Sequence, residues 1–331
     1  MATAETDRLQ VEYEALVTGC GLVDRSERGK LALTGSGAVE FLNGQVTNEL
    51  ADLHPGEGRY AAFLTNKGKM LGDLRVLALG ADPTAPIEEL LLDTERAALQ
   101  ALFDMIRRYK VGYDVELHKR TLEYALLSLI GPHVGAVAAQ AAGAQTALPQ
   151  VEHAHLRTLI AGRAVRLIAT VDAGLDVLCE AGDRDAIHAA LLDAGALEVG
   201  EEAAEIVRVE HGRPRFGIDL DEGTIPQEAG LNERAVSFTK GCYVGQETVA
   251  RLFYRGKPNR HLRGLRLSAP AETGAELHLG ERSVGRLSSA VLSPTYGPLG
   301  LALIRREAEP GTTVSVGAHG VTGTVLEPPF G

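Results

Sequence analysis

The chain has no tryptophan and only three cysteines among its 331 residues. Cys20, Cys179 and Cys242 lie far apart, which excludes a disulfide framework and a zinc-finger spacing. Nor can they supply the four thiolates that usually hold an iron–sulfur cluster. Long apolar runs are missing, so no stretch reads as a bilayer span. The stretch from Met1 to Asp7 has neither a basic nor an apolar character, so a secretory leader is not expected. A cation excess is also absent: the formal net charge is -11, which argues against nucleic acid or anionic lipid as a direct partner. These absences lead to the expectation of a cytoplasmic protein with no membrane attachment and no metal site. The composition that remains, 45% hydrophobic and 23% charged, is that of a folded globular chain. Its length calls for two or three domains.

Local patterns alternate between helix and strand over the first two thirds. A helix over 8–18 is ended by Gly19 and Gly21. A strand over 30–34 turns at Gly35-Ser36-Gly37 into a helix over 38–50. That turn resembles a phosphate cradle, but Glu40 occupies the third glycine position and would repel a pyrophosphate, so no dinucleotide site is expected. Strands over 58–65 and 69–78 flank Asn66-Lys67-Gly68, a hairpin signal. Further strands are expected near 87–92, 111–117, 122–130, 163–170 and 174–180, with helices over 94–109, 132–147, 183–194 and 203–211. Beyond 265, short alternating strands between glycine and proline turns indicate a small antiparallel barrel, joined through Gly256-Lys257-Pro258-Asn259.

Few residues carry chemical promise. Asp73 sits inside an apolar strand, either solvated on its polar face or facing a pocket with a raised pKa. His153 and His155 could share a strand face, but no third ligand is near in sequence. The stretch 251–266 holds six arginines and lysines and no acid, as a surface linker does, or a docking site for an anionic partner. Most informative is Lys240-Gly-Cys-Tyr-Val-Gly-Gln-Glu247. Cys242 lies there between two glycines, two residues from Lys240 and at or just before a helix with Val249, Leu252 and Phe253 on its buried face. Helix amides and the lysine would favour the thiolate; alternatively the cysteine fills a tight turn.

Arg208-Val-Glu-His-Gly-Arg-Pro, Phe216-Gly-Ile-Asp, Pro226-Gln-Glu-Ala-Gly-Leu231 and the Cys242 string occur in that order. Together they resemble the YgfZ-like, folate-binding relatives of the glycine-cleavage T-protein, over nearly the whole chain. The resemblance implies an α+β fold of three domains in a ring: two ferredoxin-like α+β domains and a C-terminal antiparallel β-barrel. The expected division is 1–49 with 120–250, 50–119, and 256–331. It also implies tetrahydrofolate or a one-carbon derivative as cofactor, with iron–sulfur client or assembly proteins as partners of a monomer. By local match, Asp73 is the carboxylate near the reacting folate nitrogen, Gly72 replaces a neighbouring acid, and Glu210 holds the pterin. Cys242 is the implied functional thiol, with Lys240, Tyr243, Gln246, Glu247 and Arg251 shaping its site. The alternatives are a folate-dependent aminomethyltransferase and a non-enzymatic folate-binding scaffold.

Overall fold

The computed structural model describes residues 2–144 and 146–330. Helix α1 (Ala2–Thr18) stops at Gly19, whose N–H bonds back to the Ala15 carbonyl. Strand β1 (Gly21–Asp24) then enters one sheet and β2 (Gly29–Thr34) a second. Helix α2 (Ala38–Asn43), β3 (Gly58–Leu64), β4 (Met70–Leu79), β5 (Glu89–Thr94), α3 (Leu99–Tyr109) and β6 (Glu116–Lys119) follow. Their five-stranded antiparallel sheet runs β3-β4-β5-β2-β6. The chain returns to the first sheet with β7 (Tyr124–Ile130), α4 (Val134–Ala142), β8 (His155–Ile160), β9 (Arg163–Ala169), β10 (Leu175–Glu180), α5 (Arg184–Asp193) and β11 (Leu197–Glu198). That sheet runs β11-β1-β7-β10-β9-β8. Its central strand β7 is buried from Ala125 to Leu129, which explains its largely apolar sequence; the one polar residue in that run, Ser128, donates to Asp176.

Each sheet carries its helices on one face and presses the other against its neighbour sheet. Phe41 and Leu42 of α2 and Leu102 and Ile106 of α3 pack under the five-stranded sheet. Val134 and Val137 of α4 and Ile187 and Leu191 of α5 do the same for the six-stranded one. Between the sheets, Ala32, Leu77 and Leu91 meet Leu126, Ile168 and Leu178. An ion-paired seam runs beside that apolar patch. Arg75 bonds Asp176 at 2.7 Å and Asp93 at 3.0 Å, and Arg28 bonds Asp93 at 2.9 Å. Each buried charge there has a partner, the condition under which such burial is tolerated.

Helix α6 (Glu201–Glu210) joins the sheets to the C-terminal unit. Ala203, Ile206 and Val207 pack on Tyr13 and Leu16 of α1, while Val209 meets Leu262, Leu299, Leu301 and Phe330 of the C-terminal unit. After short α7 (Asn232–Ala235) and α8 (Gln246–Arg255) come β12 (Arg260–Leu267), β13 (Glu276–Leu279), β14 (Arg282–Ser293), β15 (Gly297–Arg305), β16 (Thr313–Val316) and β17 (Val321–Leu326). They close an antiparallel barrel in the order β12-β15-β14-β13-β16-β17, with Leu265, Leu277, Leu287 and Val325 in its core. The α+β architecture with a C-terminal barrel is the one expected.

Several local expectations differ. The crossing between the sheets falls between Asp24 and Gly29, so β2 pairs with β5 and β6, and α2 packs under the same five-stranded sheet. Leu31 and Leu33 of β2 enter the α2–α3 core, and Ala32 faces the other sheet. Helix α2 ends at Asn43 before Gly44, well short of residue 50. Helix α4 ends before Gly143, whose φ of +94° leaves the helical region. Phe253 is 48% exposed and not on a buried face; of the α8 side chains, only Val249 is buried. Among the described residues, no helix is long and apolar enough to cross a membrane. No group of three or more His, Cys, Asp or Glu among them is arranged to hold a metal.

Candidate functional site

Asp73 lies on the β4 face turned toward the other sheet, one alternation before Arg75. Its cross-strand partner is Ala62, which makes Tyr60 its diagonal neighbour on the same face. The Tyr60 hydroxyl donates to Asp73 Oδ2 at 2.7 Å. Asp73 is only 7% exposed, and burial pushes its pKa up to about 6. The Tyr60 hydrogen bond opposes that shift, nearby Glu95 adds to it and Arg28 reduces it. A carboxyl poised so near neutrality can take up and release a proton under working conditions. Asp73 is thus buried with a raised pKa, not solvated on a polar face, and it lines neither of the described cavities.

Arg234 of α7 and the loop residues Asn48, Glu152 and His153 complete the group. The Arg234 guanidinium lies 5.1 Å over the Tyr60 ring and bonds Glu152. Asn48 Nδ2 donates to the carbonyls of both Tyr60 and Arg234, tying β3 to α7. His153 lies with its ring centroid 6.2 Å from that of Tyr60. Its Nε2 is 3.2 Å from Glu152 Oε1, but neither ring nitrogen makes an aligned hydrogen bond. Burial lowers the His153 pKa, while adjacent His153 and Arg234 hold Glu152 down to about 2 against the opposing effect of burial. His155 does not join His153: it accepts from Arg166 and contacts the Glu57 carbonyl, and burial takes its pKa down to about 3. With both His155 ring nitrogens engaged, the two histidines do not present a joint pair of free nitrogens.

Arg234 also lines a cavity of about 420 Å³ at the junction of the α6–α7 segment and the barrel. His211, Arg213, Leu262, Arg263 and Glu327 contribute to its wall. Arg234 Nε, and Gln227 Oε1 and Asn232 Oδ1 from the same segment, are buried without hydrogen-bond partners. Such orphaned groups are costly unless a ligand or water meets them. Glu210 immediately precedes the cavity wall. Its Oε1 accepts from Tyr13 Oη at 3.0 Å and from Ser293 Oγ, so the carboxylate bridges α1, α6 and the barrel. Of the residues described above, Arg234 lines this cavity; Asp73, Tyr60, Glu210 and Cys242 do not, so the structure does not gather the three expected site residues around one cavity.

The Cys242 segment is built differently from its sequence expectation. Lys240 is buried, and its Nζ donates to the carbonyls of Asn43, Val46 and Asn48 and to Asn43 Oδ1. Its ammonium anchors the 43–48 loop, and no hydrogen bond joins it to Cys242. Tyr243 is buried in the α2–β4 core. Gly245, at φ +85°, begins α8, and a Cβ there would stand 2.5 Å from the Thr65 carbonyl oxygen. Gly68 in the β3–β4 turn packs as closely on Thr248. Helix α8 therefore starts on the hairpin tip, with Cys242 three residues before its N-cap and exposed. The tight-turn alternative required burial and does not hold. Gln246 is half-buried, and exposed Glu247 and Arg251 form no ion pair with each other. Cys20 and Cys179 are buried, and burial raises each thiol to about 11. Native-state alkylation followed by mass spectrometry should give one adduct, at Cys242, and three after denaturation. Cys242→Ser should leave stability within about 0.5 kcal/mol of the parent.

A profile of the GCVT N-terminal domain matches residues 3–240, and one of the glycine cleavage T-protein C-terminal barrel domain matches 260–330. The chain belongs to the glycine cleavage T-protein family. A chloroplastic putative transferase of Arabidopsis thaliana is 29% identical, covering 96% of this chain and 72% of its own. An aminomethyltransferase of Rubrobacter xylanophilus is also 29% identical, over 97% of this chain and 86% of its own. In fold, the chain is similar to the crystal structure of the glycine cleavage system aminomethyltransferase T from Bartonella henselae. That likeness has a TM-score of 0.85 at 24% identity, over 98% of this chain and 89% of that one.

Gly72 stands where the T-protein resemblance places a first acid. A Cβ there would lie 2.5 Å from Ala98 Cβ and 2.6 Å from the Phe63 ring. The space for an acid is filled. Gly72→Asp should therefore cost roughly 1–3 kcal/mol by overpacking alone, read as a lower urea midpoint, whereas an unchanged midpoint would mean that the pocket still exists.

Proposed function

We propose that this protein binds tetrahydrofolate, or a one-carbon derivative, at the junction cavity and acts as a one-carbon transferase of the aminomethyltransferase kind. The observation that carries this reading is the buried Asp73 carboxyl, raised to about 6 and hydrogen-bonded by Tyr60, whose ring lies under the cavity-lining Arg234. The orphaned Nε of cavity-lining Arg234 suits a ligand with acceptors, such as a folate. Bound folate would supply nitrogens that take up and release the one-carbon unit. Asp73 would hold or move a proton at its Oδ atoms, and Tyr60 would fix that carboxyl in place. Arg234 would hold the Tyr60 ring from above and offer its remaining donor to the ligand. Glu210, already oriented by Tyr13 and Ser293, is the proposed acceptor for the pterin N–H edge.

The test supplies an aminomethyl-lipoyl carrier with tetrahydrofolate and follows methylene transfer and ammonia release. Turnover is expected. Folate binding without turnover would remove the transfer step.

A second reading, support of iron–sulfur enzymes through a functional thiol, is favoured by exposed Cys242 on a loop pinned by Lys240 and Gly245. The filled space at Gly72 also fits a chain that has lost part of the transfer machinery. In this reading iron–sulfur client or assembly proteins are the partners. Cys242→Ala would then keep folate affinity but fail to restore iron–sulfur enzyme activity in a deletion strain, and full restoration would exclude it.

A further inference from the structure

We infer that the surface formed by the β3–β4 hairpin tip, the Cys242 loop and α8 is a docking site for an acidic, apolar-bearing segment of a partner protein. The idea extends the second reading above but stands on different residues. Topology brings two basic stretches together here. Gly68 at the hairpin tip packs on Thr248 of α8, which places exposed Lys67 and Lys69 beside a helix that carries exposed Arg251 and Arg255 and is followed by exposed Lys257. None of these five cations forms an ion pair among the described residues, although the chain as a whole carries a net charge of -11. The next arginines differ: Arg260 is paired to Glu228 and Arg263 to Glu327. Exposed Glu247 is the one acid on α8.

Apolar surface sits among these charges. Phe253 is 48% exposed and Tyr254 is 67% exposed. Phe238 stacks on Phe253 with ring centroids 3.7 Å apart, and Tyr254 meets Phe253 edge-on at 5.0 Å. Phe238 and α8 are the two ends of the loop that carries Cys242, so the thiol is presented between them. Exposed aromatics rimmed by unpaired, mostly positive charge are the usual mark of a binding surface. The charge selects an acidic partner. A long nucleic acid fits less well: one face of Phe253 is already covered by Phe238, leaving a wedge instead of a stacking platform, and the protein's overall field repels a polyanion.

The probe is a fluorescein-labelled peptide in which Asp and Glu alternate with Leu and Phe, followed by anisotropy with the full chain. Saturable binding that weakens with salt, and slower alkylation of Cys242 in the complex, are expected. Arg255→Glu with Lys257→Glu should weaken binding about tenfold or more while leaving tetrahydrofolate affinity and the thermal midpoint unchanged. Phe253→Ser should do the same without altering charge. Equal binding by both variants, equal binding of a peptide with Lys in place of the acids, or tighter binding of a single-stranded RNA of similar length would overturn the proposal. So would concentration-dependent self-association that buries Cys242. Loss of folate binding in the parent protein would leave this result untouched and would count against the folate reading alone.

Discussion

Asp73→Asn is expected to make the protein more stable at neutral pH and at least about a hundredfold less active in one-carbon transfer. An aspartate ordinarily titrates near 3.9, and burial raises Asp73 to about 6. The folded state therefore holds that proton more tightly than the unfolded chain. This contribution to stability is fully present below about pH 4 and is lost as pH rises toward 6. At neutral pH the wild type carries the whole cost of a buried carboxylate, on the order of 3 kcal/mol. Asparagine has no charge and can still accept from the Tyr60 hydroxyl. Urea denaturation at about pH 4 and at neutral pH measures the effect: the variant's advantage should appear only at the higher pH. A variant weaker at both would mean that Asp73 serves the Arg28–Asp93 ion-pair seam and not a site.

Lys240→Met should produce the largest structural loss. The substitution keeps the apolar stem but removes an ammonium that satisfies three carbonyls and the Asn43 side chain. Burial lowers the Lys240 pKa to about 8, with Glu49 opposing the shift, and the four oxygen acceptors favour the charged form at neutral pH. Stranding those acceptors should cost roughly 3–5 kcal/mol. Hydrogen exchange should then quicken over 43–48 and over the 237–245 loop together. Exchange confined to the Cys242 loop would mean that the lysine acts on the thiol, as its position in the sequence had suggested.

That contrast marks what the sequence could carry. Asn66-Lys67-Gly68 defines a hairpin locally, and once the hairpin is accepted the pairing of Ala62 with Asp73 places Tyr60 diagonally beside the acid. Tyr60 was thus legible in principle, though the sequence reading missed it. Its meeting with Arg234, Glu152 and His153 was not, because Arg234 of α7 and the Glu152-His153 loop reach Tyr60 only through tertiary packing. The sheet to which β2 belongs was equally hidden: alternation says that a strand has two faces but not which neighbours it pairs with. The glycines of the Cys242 motif were visible as turn residues. The reason for Gly245, a backbone approach to Thr65, required the fold. Spacing alone put Phe253 on a buried face, but α8 lies at the edge of the molecule, before the Gly256–Asn259 linker, with only Val249 inside.

The account depends on the Asp73–Tyr60–Arg234 group and its adjoining cavity receiving a reduced folate. Titration calorimetry of tetrahydrofolate into the wild type and into Arg234→Ala tests this most directly. Saturable one-to-one binding by the wild type, weakened about tenfold or more in the variant with its thermal midpoint retained, is predicted. Equal heats from both proteins, or none from the wild type, would contradict it.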